Sequence, residues 1–382
     1  MVDRSKFFWG GRNSSIELLK IFSLCIIILS HCIKTLYGDY GYVDFTEYRL
    51  DLASSTTSVQ QLLMTMLAYA GMYGNGIFFI ASAWFLLDSK ESNKKKIIQF
   101  LLDIWIVSII FLVVIYILRD GQLGVTQILF QLFPTTFGNN WYMTAYVLFY
   151  PLHPFLNGVL RNMSQKEHLR ATLVLLFVYI VVNSVLQSSF FPSVLIWWTT
   201  FYVTIAYIKF YMTDLANNRK VNLLLAVGGI FLNGLFVVAV NYLSNHYGIL
   251  SNRLLYLKQV NNPFLFLSAV GIFNLAKSYV YRWPAVNFVA SCSMLIYIIH
   301  ENSLLKVYYR PQWWNYIYHH FGYDHILLWA LIMTVVLFVI SFLCSIIYKQ
   351  TFQKATRFVC DWVYSYIAKI YGRFEKKILK LN

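Results

Sequence analysis

Ten stretches of roughly 20 mostly apolar residues constrain the fold of this chain more than any other feature. A helix of that length crosses the hydrocarbon core of a bilayer, where each backbone polar group must find its partner within the protein. The chain of 382 residues is only 12% charged, whereas soluble domains are about 25% charged. We therefore predict an all-α, multi-pass bundle with transmembrane helices at 16–37, 61–87, 97–118, 140–160, 169–189, 194–212, 221–243, 263–281, 284–304 and 325–348.

The positions of lysine and arginine predict the orientation of this bundle. With the N-terminus in the cytoplasm, about 23 of these residues lie on the cytoplasmic side and about 7 on the outer side. The net charge of +15 is thus explained by topology, and we expect no nucleic-acid partner. Both termini are predicted to be cytoplasmic.

The chain contains no linker or long repeat, so we predict one membrane domain over residues 1–348, followed by a tail at 349–382. The tail alternates basic and aromatic residues, which is typical of an amphipathic helix on an anionic membrane surface. A solvated tail is the alternative. The five cysteines are scattered and show no metal-ligand spacing, so we expect neither a metal site nor a disulfide framework.

Lys20 and His31 lie in the first span, eleven residues apart. Eleven residues make close to three helical turns, so both side chains lie on one face, about 16 Å apart along the axis. An ionisable group in hydrocarbon is costly and usually faces the interior of a bundle or a water-filled cavity. We therefore expect the functional site along this face. Alternatively, Lys20 is a snorkelling anchor that pairs with Glu17.

A second histidine, His300, lies in the ninth span at a depth similar to that of His31. Two histidines that meet across a bundle can form a proton-transfer site. The alternative is that each is a hydrogen-bonded packing residue. The sequence establishes equal depth but not that the two side chains face each other.

Other polar and aromatic residues are candidates for binding. Asn75 lies among small residues of the second span, where helix packing is the common explanation but a buried amide needs a partner. Trp141 and Tyr142 begin the fourth span, as in an aromatic belt. Three consecutive lysines in the second inner loop either determine topology or form an anion site for phosphates; they are Lys94, Lys95 and Lys96.

Four segments carry a family resemblance, and they lie at 20–31, 76–85, 141–157 and 297–300. The first pairs a basic residue with a histidine after ten intervening residues, and the second contains Phe-Phe-x-x-Ser followed by Ala83. The third runs from Trp-Tyr to a proline and an asparagine, and the fourth is Tyr-Ile-Ile-His. Together they resemble the acyltransferase-3 family of bacterial membrane O-acyltransferases, which modify surface glycans, over about residues 12–345. Ala83 replaces a glycine of the family pattern, and lysines stand where many members have two arginines.

The resemblance implies O-acetyl transfer from acetyl-CoA to a sugar hydroxyl of a surface polysaccharide or its lipid-linked precursor, at the bacterial cytoplasmic membrane. It implies His31 as the general base, with His300 in the same catalytic set, and Lys20 as the residue that binds or orients the donor. The three inner lysines would then attract the CoA phosphates. The residues expected to position the acceptor or stabilise the oxyanion are Asn75, Ser82, Trp141, Tyr142 and Glu301.

Two other functions fit a polytopic protein of this kind. A transporter or flippase for lipid-linked sugars needs intramembrane charges and often has an inverted repeat, but no repeat of the 16–87 pattern occurs in the second half. A glycan polymerase or ligase would place its basic residues in a large outer loop, whereas the outer loops here are short. The sequence does not indicate an oligomeric state.

Overall fold

The computed structural model describes residues 12–36, 59–138, 140–185, 194–248, 262–322 and 325–379. These residues are almost entirely helical and contain no strand, as predicted. The helices are α1 (Ser14–Leu36), α2 (Val59–Leu86), α3 (Lys94–Leu118), α4 (Val125–Leu132), α5 (Trp141–Phe149), α6 (His153–Asn162), α7 (Gln165–Leu176), α8 (Val194–Tyr211), α9 (Thr213–Asn217), α10 (Arg219–Tyr247), α11 (Pro263–Ser278), α12 (Pro284–Ala290), α13 (Ser293–His300), α14 (Arg310–Phe321), α15 (Ile326–Thr351) and α16 (Gln353–Leu379). Phe177–Val185 and Leu305–Tyr309 are π-helical.

Five helical stretches in the described part of the chain are long and apolar enough to cross a membrane. They are Ser14–Leu36, Leu62–Leu86, Lys94–Leu118, Arg219–Val240 and Ile326–Thr351, and Pro263–Ser278 is a shorter apolar helix. Their length and composition indicate a multi-pass membrane protein. The total of ten spans and the cytoplasmic position of both termini stay predictions.

Two of the predicted spans are not continuous helices. The fourth, 140–160, is interrupted between α5 and α6 at Tyr150–Leu152, where Pro151 has no N–H to donate to the preceding turn. The ninth, 284–304, is interrupted between α12 and α13 at Ser291–Cys292. The sequence predictions of uninterrupted helices at these two places were wrong. After the second break α13 is short, and it ends at His300, directly before Glu301.

Small residues let α1 and α2 pack closely, which places the face of α1 that carries His31. A Cβ atom added to Gly74 would lie 2.5 Å from the carbonyl oxygen of Ser23, and one added to Gly71 would lie 2.7 Å from Oγ of Ser30. Ser30 in turn donates a hydrogen bond to the carbonyl of Ala68. The small-residue explanation for the second span is therefore correct for these two glycines.

Most of the described part of the tail forms α16, and the first half of this helix packs against α3. Asp103, on α3, accepts hydrogen bonds through Oδ1 from Gln99 at 2.8 Å and from Tyr348 at 2.8 Å. Thr356 of α16 lies 3.5 Å from the same oxygen. Near the start of α3, Lys95 forms an ion pair with Asp361 at 2.7 Å. Through these hydrogen bonds and this ion pair, one polar face of α3 binds both α15 and α16.

Candidate active site

The centre of the candidate site is formed by side chains from α1 and from the end of α13. Nδ1 of His31 lies 2.6 Å from Oε2 of Glu301 and 3.3 Å from Nε2 of His300. The two imidazole rings stack with their centroids 5.4 Å apart. His31, His300 and Glu301 are 5%, 0% and 3% exposed. The two histidines predicted to share a depth therefore face each other, and we call these three residues the histidine site.

The hydrogen bonds of the histidine site define which ring nitrogens carry protons. Nδ1 of His300 lies 2.8 Å from the carbonyl oxygen of Ile296, so this nitrogen carries a proton and donates it. Nε2 of His300 then has a lone pair. Nδ1 of His31, beside an acidic oxygen and this lone pair, is the donor of its ring. In this tautomer Nε2 of His31 is the basic nitrogen.

Two cations balance the buried carboxylate of Glu301. Nζ of Lys306 lies 2.8 Å from Oε1, and a guanidinium nitrogen of Arg310 lies 3.7 Å from Oε2. A buried carboxylate is costly unless it is paired and hydrogen-bonded. Each oxygen of this carboxylate thus lies beside a cationic side chain.

The same three residues also have a geometry in which a metal ion could bind. His31, His300 and Glu301 each offer one ligand atom, and these atoms lie within 4.8 Å of one another. However, a divalent ion would add positive charge beside Lys306 and Arg310, which already contact the carboxylate. The electrostatics therefore favour proton transfer over metal binding, and the absence of a metal stays a prediction.

A group of basic residues lies where α1 and α3 begin. The charges of Lys20 and Arg12 are close enough to act on Lys96. Lys20 pairs with Glu17 at 2.8 Å, which is the contact that the alternative explanation of Lys20 as an anchor predicted. We call Arg12, Lys20 and Lys96 the basic cluster. Its member Lys20 lies about 16 Å along α1 from His31.

The three inner lysines, which form the first turn of α3, do not act as one group. Nζ of Lys96 lies 3.5 Å from the hydroxyl of Tyr146 and 5.0 Å from the ring centroid of Tyr150, on the inner side of the helix. Lys95 faces α16 and pairs with Asp361. Lys94 is exposed. The structure thus brings Lys96 to the basic cluster and directs Lys95 to the tail.

A row of aromatic rings connects the basic cluster with the histidine site. Trp198 lies 5.9 Å from Tyr146 and 5.1 Å from Tyr142, measured between ring centroids. Tyr142 lies 5.9 Å from Tyr297, whose ring is 5.6 Å from that of His300. We call Tyr146, Trp198, Tyr142 and Tyr297 the aromatic path.

Three polar atoms of the aromatic path are buried and have no hydrogen-bond partner among the described residues. They are Nε1 of Trp198 and the hydroxyls of Tyr142 and Tyr297. Buried polar groups in proteins almost always have a partner, so an unpartnered group needs an explanation. A polar ligand that lies along these rings would provide the missing hydrogen bonds.

Of the five predicted binding residues, Asn75, Ser82 and Trp141 belong neither to the histidine site nor to the aromatic path. Asn75 is 2% exposed, and its Oδ1 has no hydrogen-bond partner among the described residues. Ser82 is half-buried on α2. Trp141 packs beside Tyr142 at 5.6 Å and Trp197 at 6.5 Å between ring centroids. Only Tyr142 and Glu301 of this group lie on the aromatic path or in the histidine site.

Comparison with known families decides the class of the protein. The family model Acyl_transf_3, described as an acyltransferase domain, matches residues 13–349. The chain belongs to this acyltransferase family. Its apolar helices and this family membership together indicate a multi-pass membrane acyltransferase. The comparisons gave no match among curated proteins and none among solved structures.

Sequence reasoning did not single out Arg310 or Lys306 as parts of this acyltransferase site. Both were counted as charges of the outer side, yet Arg310 is 0% exposed. The position of Arg310 in the sequence could have indicated its role, since it lies ten residues after His300 and directly before Pro311. A proline at the second position of a segment favours a helix start, and a helix beginning there brings Arg310 back to the end of α13.

Proposed function

We propose that this membrane acyltransferase transfers an acetyl group from acetyl-CoA to a sugar hydroxyl of a surface polysaccharide or of its lipid-linked precursor, at the bacterial cytoplasmic membrane. The observation that carries the proposal is the contact of 2.6 Å between Nδ1 of His31 and Oε2 of Glu301. A carboxylate on Nδ1 fixes the tautomer in which Nε2 is basic and stabilises the imidazolium that forms. This arrangement suits general-base catalysis on a weak nucleophile such as an alcohol.

The proposed reaction is a single acyl transfer. Nε2 of His31 accepts the proton of the acceptor hydroxyl while the hydroxyl oxygen attacks the thioester carbonyl. The new C–O bond forms, the C–S bond breaks, and the CoA sulfur leaves with the proton returned by His31. Glu301 balances the positive charge on the imidazolium between these two proton transfers.

We propose that the donor binds with its phosphates at the basic cluster. Lys20 and Lys96 supply the positive charge that phosphates require, and Arg12 adds to it. The pantetheine arm then lies along the aromatic path, where its amides and thioester meet the unpartnered polar atoms of Trp198, Tyr142 and Tyr297. In this arrangement the nucleotide is held at one end of α1 and the acetyl group reaches His31 at the other.

The roles of the remaining residues follow from their positions. His300 stacks on His31 and holds its ring. Trp141, beside the aromatic path, presents a surface on which a sugar can stack. For Asn75 and Ser82 we propose the roles that the family resemblance implies, which are to position the acceptor or to stabilise the oxyanion.

The test is transfer of label from radioactive acetyl-CoA to glycan in membranes that contain the protein. We expect His31→Ala to abolish incorporation while expression and membrane insertion stay normal. Label in the glycan of the His31→Ala membranes would contradict the assignment of the base. Failure of wild-type membranes to label any glycan, combined with movement of lipid-linked sugar across the bilayer, would support a transporter instead.

A further inference from the structure

Arg310 contacts the backbone of both histidines of the site. Nη2 donates a hydrogen bond of 2.7 Å to the carbonyl oxygen of His300, and Nη1 donates one of 3.4 Å to the carbonyl oxygen of His31. The guanidinium is fully buried and lies 3.7 Å from Oε2 of Glu301. One side chain therefore contacts all three members of the histidine site.

The hydrogen bond to His300 satisfies a group that the helix leaves open. His300 is the last residue of α13, and the last four carbonyls of a helix have no partner within it. The planar guanidinium has five N–H donors in a fixed geometry, so it can bond two carbonyls at once. Arg310 thereby fixes the end of α13 against α1.

A second residue of α14 strengthens the same attachment. Trp314, one helical turn after Arg310, is 0% exposed and donates a hydrogen bond of 2.9 Å to the carbonyl oxygen of Cys32. The first turn of α14 thus binds two consecutive carbonyls of α1, those of His31 and Cys32. The backbone that carries His31 is held from the side of α14, independently of the packing between α1 and α2.

We infer that Arg310 is a positioning residue for acyl transfer. Through hydrogen bonds to two backbone carbonyls it sets the separation of the His31 and His300 rings, and through its charge it holds the carboxylate of Glu301 on Nδ1 of His31. It does not touch the donor at the basic cluster. The inference rests on the proposed function, because it assigns the residue that holds the proposed base in place.

The experiment compares Arg310→Met, Arg310→Lys and the control Arg282→Met, which removes an exposed arginine, as purified full-length proteins in lipid nanodiscs. The measurements are kcat and KM for acetyl-CoA and the unfolding temperature. For Arg310→Met we expect kcat to fall about 100-fold, since a misplacement of about 1 Å has effects of that size, with KM unchanged. Lysine keeps the charge but cannot bond both carbonyls, so Arg310→Lys should lose about tenfold.

Each other outcome contradicts the inference in a distinct way. A folded Arg310→Met protein with wild-type kcat overturns it, as does a rise in KM at constant kcat, which would make Arg310 a donor-binding residue. If Arg310→Met does not fold, Arg310→Lys with wild-type kcat overturns it. If the wild-type protein itself transfers no acetyl group, the proposed function is wrong, and the inference about Arg310, which rests on it, is wrong as well.

Discussion

The side chain of Glu301 lies 2.6 Å from Nδ1 of His31, although the two residues are 270 positions apart in the chain. The contact joins the end of α13 to α1, because Glu301 directly follows His300, the last residue of that helix. An imidazole held this way has one basic nitrogen and a partner for the charge it acquires. The short helix is thus part of the chemistry and not only of the fold.

Replacing Glu301 by glutamine should lower kcat for acetyl transfer between about 100-fold and 10,000-fold, because the amide keeps the shape but not the charge that stabilises the imidazolium. The measurement is the initial rate of label transfer from acetyl-CoA. Glu91→Gln, which changes an exposed carboxylate between α2 and α3, is the control and should have wild-type activity. A Glu301→Gln protein with unchanged kcat would show that His31 works without this partner.

The variants Lys96→Met and Lys95→Met should differ in KM for acetyl-CoA, because the two neighbouring lysines have different roles. Lys96 belongs to the basic cluster, so its loss should raise KM for acetyl-CoA about tenfold, the effect of losing about 1.4 kcal/mol of binding free energy. Lys95 pairs with Asp361 on α16, so its loss should leave KM unchanged. Steady-state kinetics at varied donor concentration check this, and equal KM values for the two variants would place the CoA phosphates elsewhere.

Tyr297→Phe should reduce activity without reducing stability. The hydroxyl is buried and has no hydrogen-bond partner among the described residues, so its removal leaves no other group unsatisfied and should not lower the unfolding temperature. If the hydroxyl bonds the donor, kcat/KM for acetyl-CoA should fall about tenfold. Activity equal to that of the wild type would argue against donor binding along the aromatic path.

Gly74→Ala should destabilise the protein by about 1–3 kcal/mol, the usual cost of overpacking. The added Cβ would lie 2.5 Å from the carbonyl oxygen of Ser23 and 2.6 Å from Cγ1 of Ile27, which forces α1 away from α2. Gly158→Ala on α6 is the matched control, because its Cβ meets nothing within 4 Å and alanine favours a helix by about 0.5–1 kcal/mol. Thermal unfolding in detergent should move in opposite directions for the two variants.

Treatment with a strong chelator should leave acetyl transfer unchanged. Lys306 and Arg310 already balance the charge of Glu301, so proton transfer at the histidine site needs no ion. The assay compares rates before and after dialysis against the chelator, with added zinc in a parallel sample. Loss of activity that zinc restores would show that His31, His300 and Glu301 hold a metal.

The sequence predicted the parts of the site that depend on spacing within one helix or on depth. Lys20 and His31 share a face because a helix has a fixed number of residues per turn. His31 and His300 have similar predicted depths because both spans were counted from the same side of the membrane. The structure places the two rings in contact, which equal depth allowed but did not establish.

The sequence could not predict features that depend on how helices rotate and where they break. Consecutive residues of a helix are about 100° apart, so the run of lysines did not show that Lys96 faces the bundle and Lys95 the tail. The polar residues at 95, 99 and 103, spaced by four, indicate the side of α3 that holds α16. Arg310 was not predicted because its burial depends on α14 folding back onto α13.

The ten residues between Lys20 and His31 have a consequence for how the protein can diverge. Because α1 is unbroken from Ser14 to Leu36, the separation of its two functional side chains depends only on how many residues lie between them. One inserted residue would turn His31 by about 100° away from Glu301 and move it by about 1.5 Å. Side chains within this interval can change during evolution where packing allows. A single insertion or deletion, in contrast, would place Lys20 and His31 on different faces of α1.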